Sequence, residues 1–597
     1  MVYTMLRKHG LDKYFVPLRR LFQREVVPAS EKKRLLNLEI LEQRLLLSCD
    51  TDFTAGVLTI TCDGDDDVVK VAIATDGALL LNDVAITGDP TTSNTDSIHI
   101  IAGDGDDQII VDQTSGALGP GATSEVSGQS EIEVTVDAGG GTDSLTLHGQ
   151  DGAADTIETS GTTIDINADN DQDITLIALE EIVLSGEGGD DQISLAGWST
   201  TDTSSIGLTS ISVDGGSGND TLLGSADADT LSGGAGDDVL SGGTGDDSVD
   251  GGAGNDQVTQ SVDSDQTLTD SSLTGEGTDT LAGIESAELT GGAAANVIDA
   301  SAFSGTVTID GGAGADTLTG GTGSDSLSGG AGDDVLSGGA GTDFLDGGAD
   351  SDEVHHSEDT DLTLTDTSLG SDTLANIENA VLTGGAGDNA IDASAFSGSV
   401  TISGGAGADD IKAGASAASL DGGAGNDTIL GGAGNDLISG GAGDDVLSGA
   451  EGSDSIDGGT DSDKIVQSVD ADQTLTDSGL SGQGSDTLAS IESADLTGGA
   501  SANVMDASAF TGAVTLTGGA GDDCLTGGAG DDCLVGDSGG DSLIGSAGDD
   551  IVFGGAGDDV ITGGTGTDKV VQSVDGDQTL TDDQLTGEGT DSLTSIE

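Results

Sequence analysis

Residues 422–448 read GGAGNDTIL, GGAGNDLIS and GGAGDDVLS, three copies of a nine-residue unit with nothing between them. A short fixed period constrains a fold strongly, because each unit has to bury its apolar face against the next. Glycines at positions 1, 2 and 4 give the backbone freedom that a tight turn needs. The last three residues alternate in direction, so the eighth alone faces inward. Two units then close one coil, and coils stack by strand pairing about 4.8 Å apart. The spacing predicts an all-β chain built as a parallel β-roll or β-solenoid.

The same stacking sets the aspartate at position 6 over its counterpart two units later. Two bare carboxylates about 5 Å apart repel by about 3 kcal/mol at an effective dielectric near 20, and salt screens that range poorly. A cation midway between rungs would sit about 2.4 Å from each, the distance calcium takes to oxygen and longer than magnesium accepts. Turn carbonyls can complete the shell. The unit resembles the repeat-in-toxin (RTX, hemolysin-type) calcium-binding nonapeptide GGxGxDxUx. That resemblance implies a parallel β-roll that folds on binding several Ca2+ ions, usually in secreted proteins.

Four arrays keep this phase. Residues 214–259 carry Asp220, Asp229, Asp238, Asp247 and Asp256 at position 6; residues 311–355 carry Asp316, Asp325, Asp334, Asp343 and Asp352. Residues 404–466 carry Asp409, Asp427, Asp436, Asp445, Asp454 and Asp463, with Ala418 in the second unit predicting a gap. Residues 518–571 carry Asp523, Asp532, Asp541, Asp550, Asp559 and Asp568. These carboxylates are the expected metal ligands. End units, lacking a neighbour on one side, are expected to bind weakly or not at all.

The intervening segments, 260–310, 356–403 and 467–517, repeat one another: QSVDSDQTLTDSSLTGEGTDTLAGIESAELTGG returns as QSVDADQTLTDSGLSGQGSDTLASIESADLTGG. Each carries one phenylalanine, Phe303, Phe396 or Phe510, expected as a core plug. A further copy begins at Gln572 and stops inside the motif at residue 597, which reads as a truncated insert. Residues 49–213 show short strands (VLTIT, VVKVAI, IHIIA, IEVTV, SLTLHG, ITLIAL, ISVDGG) between Gly/Asp turns, fitting either an irregular β-solenoid or a β-sandwich. Diluted turn motifs there end at Asp66, Asp107, Asp143 and Asp191, spacings that predict isolated sites and no continuous ladder.

Residues 1–48 are different: ten of the 14 basic residues lie there, and leucines at helical spacing predict an amphipathic segment. Leu41, Glu42, Gln43, Arg44, Leu45, Leu46 and Leu47 resemble the Leu-Glu-Pro-Arg-x-Leu-Leu motif near the start of planctomycete-type surface proteins, with Gln43 in place of the proline. That resemblance implies sorting or export.

Only five of the 110 acidic residues precede Leu45, so the rest of the chain is intensely anionic. Nucleic acid is an unsuitable partner for it, and cations are suitable ones. No apolar run is long enough for a transmembrane helix. Cys49 and Cys62 are close enough in sequence to pair; Cys524 and Cys533 fall on opposite sheets and are not expected to. No HExxH or GxSxG constellation is present, the five histidines are scattered, and Trp198 is the only tryptophan. The expectation is a calcium-binding secreted or cell-surface protein with a structural or adhesive role, partnered by calcium ions and surface or matrix components, and not an enzyme. The alternative is the repeat portion of a larger toxin or secreted enzyme.

Overall fold

The computed structural model describes residues 49–64, 66–118, 132–150, 152–166, 173–572, 579–580, 584–586 and 590–596. The basic N-terminal segment and its motif at 41–47 lie outside them. The chain forms two compact units, the first reaching Asp238 and including Gly242–Thr244, the second taking Val239–Ser241 and running on from Gly245.

In the first unit, alternation of aliphatic and polar residues produces strands with one buried face. Val57–Thr61, Ser97–Ile101, Glu133–Asp137 and Ile174–Ile177 stack in parallel as one sheet, Leu58 over Ile98 and Ile60 over Ile100. Opposite them, Val68–Ile73, Gln108–Asp112, Ser144–His148, Glu181–Ser185, Ser210–Ser217 and Asp229–Ala235 form the second parallel sheet. Each strand pairs with the equivalent strand of the neighbouring coil, so residues 49–213 are a β-solenoid and the sandwich reading falls. Asp50–Thr54 folds back antiparallel on Val57–Thr61, and a Cys49–Cys62 disulfide joins the residues flanking this hairpin.

The short helix Thr200–Ile206 has no counterpart in the sequence reading. It is too short to show an apolar period, yet its capping signal is present: Ser199 and Asp202 form a reciprocal capping box, and Gly207 ends the helix at φ 98°.

In the second unit the nonapeptides coil with an 18-residue register. Leu327 pairs with Leu345 in one sheet and Leu318 with Leu336 in the other. All four are at most 1% exposed, each worth about 1.5–3 kcal/mol of apolar burial. The inserts belong to the same solenoid: Ser286–Gly292 pairs in parallel with the array strands Gln257–Ser261 before it and Thr306–Ala313 after it. Each insert also makes an antiparallel excursion, as in Gln266–Thr269, Ser272–Thr274 and Thr278–Ala282. Phe303, Phe396 and Phe510 are buried core plugs, and Trp198 is equally buried in the first unit. Cys524 and Cys533 lie on different sheets and are free thiols.

At the position-4 glycine of the third array's third unit the turn leaves no room for a side chain. Gly425 has φ 140°, and a Cβ there would penetrate the carbonyl oxygen of Gly407 one coil earlier. Gly425→Ala is therefore expected to open this part of the third array, adding a steric clash to about 1–3 kcal/mol of backbone strain. Excess calcium should not restore it, which limited proteolysis of the saturated chain can check.

Candidate metal centre

The turn sequence places every position-6 aspartate of the four arrays inside, none more than 3% exposed. Each is fixed by a bond that the sequence does not reveal. The Asp316 N–H donates to Asp334 Oδ1 (2.7 Å), and the Asp334 N–H donates to Asp352 Oδ1 (2.9 Å). In the third array the chain runs Asp409 to Asp427 (2.8 Å), Asp427 to Asp445 (2.8 Å) and Asp445 to Asp463 (3.0 Å). The structure thus brings together carboxylates 18 residues apart, as the spacing requires. Facing bare carboxylates are not the arrangement found, because one oxygen of each caps the neighbouring coil's backbone.

The other oxygen is the chemically informative one. Oδ2 of Asp316, Asp334, Asp352, Asp409, Asp427, Asp445 and Asp463 is buried with no protein donor. A buried polar atom without a partner costs about 1–3 kcal/mol, and more when charged. Burial accordingly pushes Asp220, Asp334, Asp436, Asp445 and Asp541 up to about 6; the backbone cap opposes this and neighbouring rungs add repulsion. Desolvation, rather than the rung-to-rung repulsion anticipated from spacing, is the leading cause.

Beside each such oxygen the glycine at position 1 leaves a hollow. A Cβ built on Gly311 would lie 2.6 Å from Asp316 Oδ2 and 2.7 Å from the Gly329 carbonyl oxygen of the next coil. A carboxylate oxygen and a carbonyl oxygen lining a space that no side chain fills are hard donors for a hard cation. The donor set fits calcium.

The rungs extend further than the sequence reading allowed. The last aspartates of the arrays do not lack neighbours: Asp343 donates from its N–H to Asp372 Oδ1 (3.0 Å), Asp454 to Asp486 (3.1 Å) and Asp559 to Asp591 (3.2 Å). On the other edge Asp256, Asp352 and Asp463 donate to Glu285, Glu378 and Glu492 (3.0, 3.1 and 2.9 Å). The signal was present in GEGTD and GQGSD, which keep the G-x-G-x-D spacing with Thr or Ser at position 1. In the first unit, widely spaced turns still stack, Asp67 on Asp107 (2.8 Å), Asp107 on Asp143 (2.8 Å) and Asp191 on Asp220 (2.8 Å). The loops between them lengthen the chain without changing the rung. Asp67, and not Asp66, holds the inner position. At Ala418 no carboxylate is available, although its N–H still donates to Asp436 Oδ1 (2.8 Å).

A second row, also unforeseen, runs along the exposed position 5 in the opposite direction. The Asp444 N–H donates to Asn426 Oδ1 (3.0 Å) and the Ser462 N–H donates to Asp444 Oδ1 (3.0 Å).

The profile of the RTX calcium-binding nonapeptide repeat matches this chain in overlapping segments that span residues 214–258, 290–354, 397–465 and 497–570. The four arrays are RTX repeats. The chain carries calcium-binding repeats, and the RTX matches take in the coils where Asp316, Asp334, Asp427, Asp445 and Asp541 carry unpartnered oxygens. Among curated proteins none matches the chain. Among the described residues no helix is long and apolar enough to cross a membrane.

The raised carboxyls make a pH prediction for the RTX arrays without calcium. Their folded value near 6 exceeds the unfolded value of 3.8, so between these limits the folded chain binds protons that the unfolded chain does not. The stability gained from protonation is lost as pH rises through 6. Carboxyls held low, such as Asp359 and Asp470, lose their contribution only below the ordinary carboxylate range. The calcium-free chain is therefore expected to show more β-signal at pH 5 than at pH 7.5; the reverse order by circular dichroism would contradict the burial argument.

Proposed function

We propose that the protein is a secreted or cell-surface β-solenoid that calcium stiffens, with a structural or adhesive role and no catalytic one. The observation that carries this reading is the set of buried Oδ2 atoms without a donor at Asp316, Asp334, Asp352, Asp409, Asp427, Asp445 and Asp463. Asp316, Asp334, Asp427, Asp445 and Asp541 exemplify the carboxylates that hold the ions, with the position-1 carbonyls as co-ligands. Bound calcium supplies positive charge between rungs and so removes the penalty that keeps the metal-free coils open. Calcium outside cells is plentiful enough for sites of the 10⁻⁴–10⁻³ M class, which supports folding after export. The anionic surface excludes nucleic acid as a partner and suits bridging, through cations, to other acidic surface or matrix components. Labelling intact host cells with antibody to residues 404–571 tests the location. Surface signal that chelator weakens supports the proposal; signal only after the cells are permeabilised refutes it.

A further inference from the structure

Position 2 divides the turns into two kinds. In every array the position-2 residue has positive φ, for example Gly312, Gly330, Gly339 and Gly348 at 91–104°, except in the second unit. There Ser225, Gly321, Gly414 and Gly528 are absent from the left-handed region. The reversed peptide changes what the carboxylate sees. The Gly321 N–H donates to Asp325 Oδ2 (2.7 Å), the Gly528 N–H to Asp532 Oδ2 (2.6 Å) and the Ser225 N–H to Asp229 Oδ2 (2.6 Å). Oδ1 of Asp325 and Asp532 is already used, accepting from Val307 and Val514 (2.8 and 2.9 Å).

The cause lies one coil earlier. A Cβ on Gly321 or Gly528 would meet the carbonyl oxygens of Phe303 and Ala300, or of Phe510 and Ala507. In the later three arrays the second unit stacks on the aromatic turn of the insert, where Val307, Val400 or Val514 takes the aspartate's place in the rung. The one unit in the four arrays that lacks the aspartate, the one with Ala418, is also a second unit.

Resting on the calcium reading above, we infer that the second-unit turns of Asp325 and Asp532 are closed by protein donors and take no ion. Both oxygens of Asp325 and Asp532 face N–H groups, whose positive ends oppose a cation approaching the same lone pairs. Calcium then loads each array only at its open turns, and the closed turn joins array to insert whether or not calcium is present. Ala418 fills that joint without loss.

Calcium stoichiometry of the full chain, read by equilibrium dialysis beside thermal melting, tests the inference. The double variant D325N/D532N keeps an oxygen acceptor for one of the two N–H groups at each turn and sets its NH2 against the other, so it is expected to melt earlier yet bind as many ions as wild type, with a midpoint within twofold. D334N/D541N, at open turns, should lose ions and raise the midpoint severalfold. A418D should gain none. Equal ion loss in both double variants, or an extra ion in A418D, would overturn the inference. A wild-type chain that binds no calcium would instead sink the calcium reading itself. Melting in saturating calcium shows that each variant is folded, so a missing ion reports the site.

Discussion

The double variant D427N/D445N is expected to lose most of the calcium response of the third array while gaining stability without calcium. Asparagine keeps an oxygen to accept the N–H bonds that Asp427 and Asp445 now take from Asp409 and Asp427 (both 2.8 Å). What it removes is the charge on Oδ2, which is buried and without a donor in both residues. The metal-free coil no longer has to desolvate an anion, and the ion no longer finds one. Loss of two charged ligands should raise the calcium midpoint for this array at least tenfold, about 1.4 kcal/mol or more of binding energy. Hydrogen exchange of residues 404–466 with and without calcium reads both effects. The alanine pair D427A/D445A separates charge from capping, since it also leaves backbone N–H groups unbonded and should be less stable in both conditions. A calcium midpoint unchanged in D427N/D445N would contradict the ligand assignment.

Phe510→Ala should be among the most damaging single core changes, and calcium should not repair it. Phe510 is 1% exposed, its N–H donates to Ala507 O (2.9 Å), and its carbonyl accepts the Ala529 N–H (3.1 Å). Emptying this site costs about 3–5 kcal/mol. Solenoid stability is roughly a sum of unit and nearest-neighbour terms, so the loss falls on the joint between the third insert and the fourth array. In saturating calcium the thermal transition is expected to split, with residues 518–571 melting earlier than the rest. A single transition at the wild-type temperature would mean that the aromatic turn does not couple the two.

The repeat was legible because each unit carries its own turn glycines, inward aliphatic residue and acidic side chain. Leu327 and Leu345 needed no distant information to find their register. Rows assembled from distant residues were hidden. Glu285 and Glu378 complete the ladder from inside inserts, and their role depends on a coil whose length the sequence does not display. Peptide orientation was equally invisible: Gly321 and Gly330 are the same letter at the same repeat position, yet only Gly330 adopts positive φ. The solenoid of residues 49–213 was ambiguous for a related reason, since its strands alternate as a sandwich strand would, and only the parallel pairing decides. Cys49 and Cys62 likewise paired through a hairpin that two short strands had to form first.

Calcium titration of the full chain, followed by far-ultraviolet circular dichroism with magnesium as control, asks whether the buried carboxylate rows fold the chain through a bound ion. A cooperative gain of β-structure is expected at about 10⁻⁴–10⁻³ M calcium, with little response to magnesium at the same concentration. A chain fully folded in chelator, or one that gains no structure in excess calcium, would show that the buried carboxylate rows do not govern folding through a bound ion.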